Sequence, residues 1–289
     1  MSGSAIPPSS TFLQRYCRNP TAVVSSVILA AIVLVAILAP YIAPHDPARS
    51  SLRAILKPPS AMYWLGSDDL GRDVASRLIF ASRLSLVASV QAVFIAVVIG
   101  LPLGLIAGYI GGWVDMAISR VNDALMSFPA LILAVVIVGL LGPSLTNAMT
   151  AIGLVYAPRI MRVVRGSTLS VREEVYIRAA RAIGCSDARI VTHHVLPNVI
   201  GPLVVQATVL MGQALLAEAG LSFLGLGVQP PQFDWGRMLV EGVEAFYVTP
   251  LAVLAPATLI ATTGLALGFF GEALARALNP MLWTVSNQS

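Results

Sequence analysis

Residues 159–197 read RIMRVVRGSTLSVREEVYIRAARAIGCSDARIVTHHVLP and hold seven of the chain's eighteen basic residues. Long apolar runs flank this island on both sides, in a chain of 289 residues of which only 11% are charged. A segment this polar has to meet water or a polar partner, whereas its flanks have no such need. The flanks therefore set the fold class. With 57% hydrophobic residues and a mean hydropathy of +0.82, the chain is far too apolar for an ordinary soluble domain, in which about 25% of residues are charged. The reading is an all-α membrane protein.

Upstream of the island, Thr21–Ala43 is free of charge over 23 residues, enough to cross a hydrocarbon core of about 30 Å as a helix. Arg15 and Arg18 precede it, as in a secretory signal, but the run exceeds a signal's apolar stretch and no A-x-A site follows, so an uncleaved anchor is expected. Residues 44–83 are polar and carry Pro44, Pro47, Pro58 and Pro59, which marks an external loop. In its second half Leu70, Val74 and Leu78 recur every four positions and Asp73 is spaced to pair with Arg77, predicting an amphipathic helix at the membrane surface. Asp68, Asp69 and Asp73 lack the ligand alternation of a calcium loop and are expected to cap and to form ion pairs.

Leu84–Val114 is the next charge-free run, and in it Gly100, Gly104 and Gly108 share one helix face, the spacing at which membrane helices pack closely. Pro102 is placed to kink this helix. Gly111-Gly112-Trp113 makes a turn, and Arg120 and Asp123 are spaced to neutralise each other. Gly142-Pro143-Ser144 splits the apolar region 124–158 into helices at about 128–141 and 146–163. Val195–Ala217 and Ala245–Gly271 bring the expected spans to six, with a transmembrane core over 84–275 and tails at 1–20 and 276–289. Between the last two spans, Leu221–Glu244 is a Gly/Pro-rich loop. There Gln229, Pro230, Pro231 and Trp235 either meet an external partner or pack, and the sequence leaves both readings open. With the N-terminus inside, eleven basic residues face the cytoplasm and seven the exterior, which favours that orientation and places both termini inside.

Several function classes are excluded. Seventeen of the basic residues are Arg and they cluster between apolar runs, which argues against nucleic acid as a partner. Lys57, the single lysine, is followed by Pro58 and preceded by no glycine loop, so the chain has no phosphate-binding P-loop, and as a Schiff-base residue for pyridoxal chemistry it sits in a Pro-rich loop. Cys17 and Cys185 form no CxxC pair, and no HExxH or GxSxG arrangement is present. His193 and His194 are adjacent and so face different sides of a helix, which points to a local structural role rather than a metal site. A secondary transporter working alone usually needs carboxylates within its spans, and Glu218 is the only acid near the later helices.

Within the island, Val171, Val175, Ala179, Ala182 and Ile183 form an apolar stripe at helical spacing, while Arg172, Glu173, Arg178 and Arg181 point elsewhere. Gly184 is placed to end this helix in the left-handed region. Ser186 is placed to cap a second short helix that begins at Asp187 and closes near Pro197. Small residues at Ala179, Ala180, Ala182 and Gly184 make a narrow element that fits a groove on a partner. Its seven Arg against Glu173, Glu174 and Asp187 equally suit a hairpin lying on lipid headgroups, and spacing does not choose between the two.

Five segments in order resemble the inner-membrane permeases of ATP-binding-cassette (ABC) importers, specifically the C-type permeases of the dipeptide, oligopeptide and nickel group. They are Gly66-Ser-Asp-Asp-Leu-Gly-Arg-Asp with Arg83-Leu-Ser-Leu, then Gly108-Tyr-Ile-Gly-Gly-Trp, then the core Arg178-Ala-Ala-Arg-Ala-Ile-Gly184 with Leu196-Pro197. Leu221-Ser-Phe-Leu-Gly-Leu-Gly-Val-Gln-Pro-Pro with Trp235-Gly and Gly271-Glu-Ala-Leu complete the set. The resemblance implies six helices of the type I importer kind and makes the island at 165–197 the coupling hairpin, often called the EAA loop. Arg178 stands where the general pattern has Glu, and His194 where it has Ile. On this resemblance Tyr176, Ile177, Arg178, Ala179, Ala180, Arg181, Ala182, Gly184, Leu196 and Pro197 would couple to a cytoplasmic ATPase. ATP and Mg would be bound by two such partner subunits and no cofactor by this chain. A second, B-type permease would complete a heterodimer in the membrane lipid, and an extracytoplasmic binding protein would deliver peptides, or in some relatives nickel, glutathione or opines.

Overall fold

The structure, a computed structural model, describes residues 16–278; the expectations for residues 1–15 and 279–289 of the tails lie outside the described residues. Among the described residues there are ten α-helices: α1 (Pro20–Ile42), α2 (Val74–Ile110), α3 (Gly112–Met126), α4 (Ala130–Leu141), α5 (Leu145–Arg172), α6 (Val175–Ala182), α7 (Asp187–Ile190), α8 (Leu196–Phe223), α9 (Trp235–Val243) and α10 (Leu251–Leu278). Four helical stretches among the described residues are long and apolar enough to cross a membrane: α1, α2, the continuous Asp187–Phe223 and α10. Counting α3 and α4, bent by 91° at their break, as one broken span gives five. The charge-free runs predict six, and α5 makes the difference. It has 28 residues, but Arg159, Arg162 and Arg165 interrupt its apolar surface and Thr146, Asn147 and Thr150 dilute it.

The centre of the fold is the contact between α2 and α5. Small residues line the buried face of α2: Ser85, Ala88, Ala92, Ala96, Gly100, Gly104 and Gly108. A Cβ on Gly100 would lie 2.6 Å from the Ala157 carbonyl oxygen, and one on Gly104 2.7 Å from that of Met161. From the other side, a Cβ on Gly153 of α5 would lie 2.7 Å from the carbonyl oxygen of Ala92. The two backbones are therefore in direct contact, which only residues without side chains permit. Around this seam Met149, Ile152, Ile160, Val164, Val199 and Leu210 build a dry core.

The helix α2 begins at Val74, ten residues before the charge-free run, so Val74–Arg83 is its first part and not a separate surface helix. The charge pattern misleads there because the charges are buried in pairs. Asp73 does not pair with Arg77. It caps α2, accepting from the Ser76 amide at 3.1 Å, and meets His45 Nδ1 at 3.2 Å. Arg77, only 2% exposed, pairs instead with Asp68 and with Glu241 of α9 at 2.9 Å, and stacks 4.6 Å over the Phe233 ring. Arg72 joins the same cluster through Asp68 at 2.7 Å and Glu241 at 3.1 Å. Capping and ion pairing of the aspartates are present, through other partners than spacing suggests. Pro102 lies inside a helix that runs unbroken to Ile110.

Candidate functional site

The island folds as the end of α5, the short helix α6, a turn at Gly184 and a helical return through α7 into α8. Within α6 the inward face is Ile177, fully buried, with Ala180. Four of the five residues of the predicted stripe point the other way: Val175 is 71% and Ile183 81% exposed, and Ala179 and Ala182 are exposed with them, while Val171 at the end of α5 is half-buried against the core. Periodicity alone misassigns the face because α6 is apolar on two sides. Tyr176, Arg178 and Arg181 are exposed as well. Gly184 takes φ +84°, and its N–H donates to the Arg181 carbonyl while that of Cys185 donates to Ala180. This pair of bonds satisfies the last carbonyls of α6 in a Schellman stop.

Ser186 occupies the cap position of α7, without a side-chain bond to it. The second helix does not close at Pro197. Val191–Val195 continues in π register into α8, whose first two residues are Leu196 and Pro197. Proline has no N–H for the preceding turn, and the wider register carries the chain past that gap. His193 Nδ1 lies 2.8 Å from the Thr192 hydroxyl and the His194 ring stands edge-on to Tyr176.

Long-range pairs tie the island to the rest of the fold. Arg165 bonds Asp115 of α3 at 2.6 Å and Arg162 bonds Asp123 at 2.9 Å. Asp123 thus takes an arginine from α5, and the predicted pair with Arg120 does not form. Arg159 donates to Gln213 of α8. Arg178 and Arg189 are exposed and have no ion-pair partner among the described residues. Sequence reasoning missed Tyr109, at the last turn of α2. Its hydroxyl donates to Asp187 Oδ1 at 2.5 Å, its carbonyl accepts from Arg172 Nη1 at 2.8 Å, and the Arg181 guanidinium lies 5.1 Å over its ring. The available signal was a tyrosine directly after the last glycine of the row, where an apolar run ends.

At the other end of α8, Trp235 is fully buried, its indole N–H donating to the Leu78 carbonyl at 3.1 Å and its amide to Ser85 at 3.0 Å. It packs and offers no surface to a partner. Gln229 is half-buried, bonded to the Gly225 and Gly227 carbonyls at 3.0 Å, and of the four expected contact residues Pro230 and Pro231 are the exposed ones. Behind this loop two carboxyls meet with no solvent contact: Glu218 accepts from the Ser222 hydroxyl at 2.7 Å and Asp234 from the Arg237 amide at 2.7 Å. One oxygen of each has no donor, and burial raises the Asp234 carboxyl above the usual carboxylate range. An apolar cavity of about 540 Å³ opens between α2, α3, α4 and α5, with Asn122 as its only polar lining side chain.

Residues 100–283 match the family described as binding-protein-dependent transport system inner membrane component, and residues 8–59 match the N-terminal TM domain of oligopeptide transport permease C. The dipeptide transport system permease protein DppC of Alkalihalophilus pseudofirmus is 41% identical over 279 residues, covering 96% of this chain and 92% of the relative. The glutathione transport system permease protein GsiD of Salmonella typhimurium is 41% identical over 276 residues, covering 95% and 91%. Among solved structures, an inward-facing MetNI methionine ABC transporter has the same fold. The TM-score is 0.59 at 22% identity, over 70% of this chain and 96% of that one. In such systems ATP is bound by separate subunits, which agrees with a chain that carries no P-loop. The chain belongs to the inner-membrane permeases of binding-protein-dependent ABC importers, of the oligopeptide permease C type, and is not itself an enzyme.

Proposed function

We propose that this permease forms half of a translocation path for short peptides, dipeptides or glutathione, and that its α6 hairpin docks into a cytoplasmic ATPase subunit. The observation that carries the docking is the exposed face of α6. Val175, Ala179, Ala182 and Ile183 lie uncovered beside the unpaired Arg178, in a helix whose opposite face is fixed to the core. A helix lying on lipid headgroups would bury the same apolar face, and the cross-link below separates that reading from docking.

Six crossings follow if α3 and α4 together make one and α5 another. At 28 residues α5 is about 42 Å long, and its first fourteen residues carry no charge. Its arginines then fall toward the inner boundary, where Asp115, Asp123 and Gln213 meet them. On this reading the hairpin and both termini lie in the cytoplasm and the loops 44–73 and 224–250 outside. The 540 Å³ cavity offers one polar side chain, too little for the charged termini of a peptide. The path therefore forms against a second, B-type permease, with an extracytoplasmic binding protein as the source of substrate. Dipeptide and glutathione both appear in the names of relatives at 41% identity, and the two share amide groups and charged ends.

Cysteine placed at Ile183 should cross-link to the ATPase subunit in the purified complex, with a yield that changes between ATP-bound and ATP-free states. No cross-link in either state would remove the docking assignment. Dialanine, glutathione and a nickel chelate, each added with the binding protein, should separate in their stimulation of ATP hydrolysis, a peptide giving the largest response.

A further inference from the structure

The hairpin is joined by the chain itself to α5 on one side and to α8 on the other, yet it has no covalent link to α2. Because α2 and α5 touch backbone to backbone, moving one requires moving the other. We infer that Tyr109 is a positioning residue for transport, the side chain through which displacement of the α6–α7 hairpin is passed to the inner end of α2.

The geometry makes Tyr109 a junction of four elements. Its hydroxyl donates to Asp187 Oδ1 at 2.5 Å, in the first turn of α7, a bond to a charged acceptor. Its ring carries the Arg181 guanidinium from the last turn of α6 at 5.1 Å. Its carbonyl is one of those left unpaired at the end of α2, and Arg172 from the end of α5 bonds it at 2.8 Å. One residue before it, a Cβ on Gly108 would lie 2.9 Å from the Arg165 carbonyl oxygen and 2.7 Å from Thr168 Cβ, so the α2 backbone cannot slip against α5 at this level. Tyr109 itself is 9% exposed and packs in the same apolar cluster as Ile177 and Ile190. Force on the hairpin thus meets a bond of fixed length attached to a backbone held on its other side.

This inference rests on the hairpin docking to an ATPase. The test uses the whole complex, purified through this chain and reconstituted in vesicles with its binding protein and radiolabelled dialanine or glutathione. Tyr109→Phe keeps the ring and the Arg181 contact and removes only the hydroxyl. It should leave assembly and basal ATP hydrolysis unchanged while uptake per ATP falls about tenfold to a hundredfold, the scale of one lost bond to a charged group. Asp187→Ala should give the same loss, the double variant no further loss, and Asp187→Asn, which keeps an acceptor, most of the wild-type ratio. Unchanged uptake per ATP in Tyr109→Phe, or losses that add in the double variant, would overturn the relay while leaving docking intact. Failure of the Ile183→Cys cross-link in the otherwise wild-type complex would overturn docking and the relay with it.

Discussion

Gly104→Ala isolates the contact that organises the membrane core. The new methyl would stand 2.7 Å from the Met161 carbonyl oxygen and 2.7 Å from Val164 Cβ, whereas carbon contacts are ordinarily about 3.5–4.0 Å. Neither neighbour is the loose end of a side chain, so α2 and α5 must part by about 1 Å along a seam that Gly100 and Gly108 hold closed on either side. Overpacking of this kind costs about 1–3 kcal/mol. Alanine returns about 0.5–1 kcal/mol of helix propensity over glycine, leaving a net loss of about 1–2 kcal/mol. For a chain of this size that corresponds to a melting temperature lower by about 2–8 °C. Thermal unfolding of the purified chain in detergent, followed by tryptophan fluorescence, reads the shift. Gly166→Ala is the matched control: it lies on α5 with nothing within 4 Å of its would-be Cβ, and should be neutral or stabilising. Equal stability of the two variants would refute a seam closed by glycine.

The remaining tests probe the turn, the buried carboxyls and the ion cluster. Gly184→Ala forces an alanine to φ +84° with no steric neighbour, a cost of about 1–2 kcal/mol confined to the hairpin. Uptake by the reconstituted complex should fall with membrane insertion intact, Gly184→Asn should be tolerated, and Gly184→Pro, which also loses the bond to Arg181, should uncouple uptake from hydrolysis; normal uptake by the proline variant would count against Gly184 as a pivot. Asp234 is raised by burial, so the folded state favours its protonated form and stability is full at low pH and declines as pH rises through the folded value. Glu218→Gln supplies a donor to the facing Asp234 oxygen and should raise the melting temperature at neutral pH and flatten its fall as pH rises; a steeper fall would contradict the facing pair. Arg77→Gln leaves Asp68 and Glu241 short of a buried partner and should cost about 3 kcal/mol. Chemical unfolding should show a smaller loss for Arg237→Gln, whose side chain is 25% exposed on the same Glu241.

Local chemistry made part of this legible from sequence. Gly184 as a helix stop, the glycine row of α2 and the first span all follow from residues within a few positions of each other. What sequence could not supply were partners chosen across the fold. Asp73 and Arg77 have ideal helical spacing, yet Arg77 is claimed by Glu241, 164 positions away, and Asp73 by the amides of its own helix end. Arg120 and Asp123 are separated in the same way by Arg162 from α5. A charge next to an apolar run reads as surface whether it ends in water or in a buried pair, which is why the start of α2 was displaced and α5 reads too polar for its length. Trp235 shows the converse, a loop aromatic amid Gly and Pro that folds into the core because Ser85 and Leu78 satisfy its two N–H groups.

The two apolar faces of α6 explain both the misread stripe and what the helix is suited to do. Eight residues are too few to hold a helix in water unaided, so one face must be fixed by its own chain. Ile177 and Ala180 do this, and the Schellman stop at Gly184 completes the element. A second apolar face then adds nothing to folding. Left in water, Val175 and Ile183 each forgo about 1.5–3 kcal/mol that burial would supply, a loss that the proposed docking would reverse. A ligand shifts a conformational equilibrium only through contacts that differ between the two states. A face unused by the chain's own core is free to differ in this way, whereas Ile177, committed to that core, is not. On the docking proposed above, the residues that fold the hairpin and those that would meet the ATPase are different residues, and Tyr109 connects the first set to the membrane core.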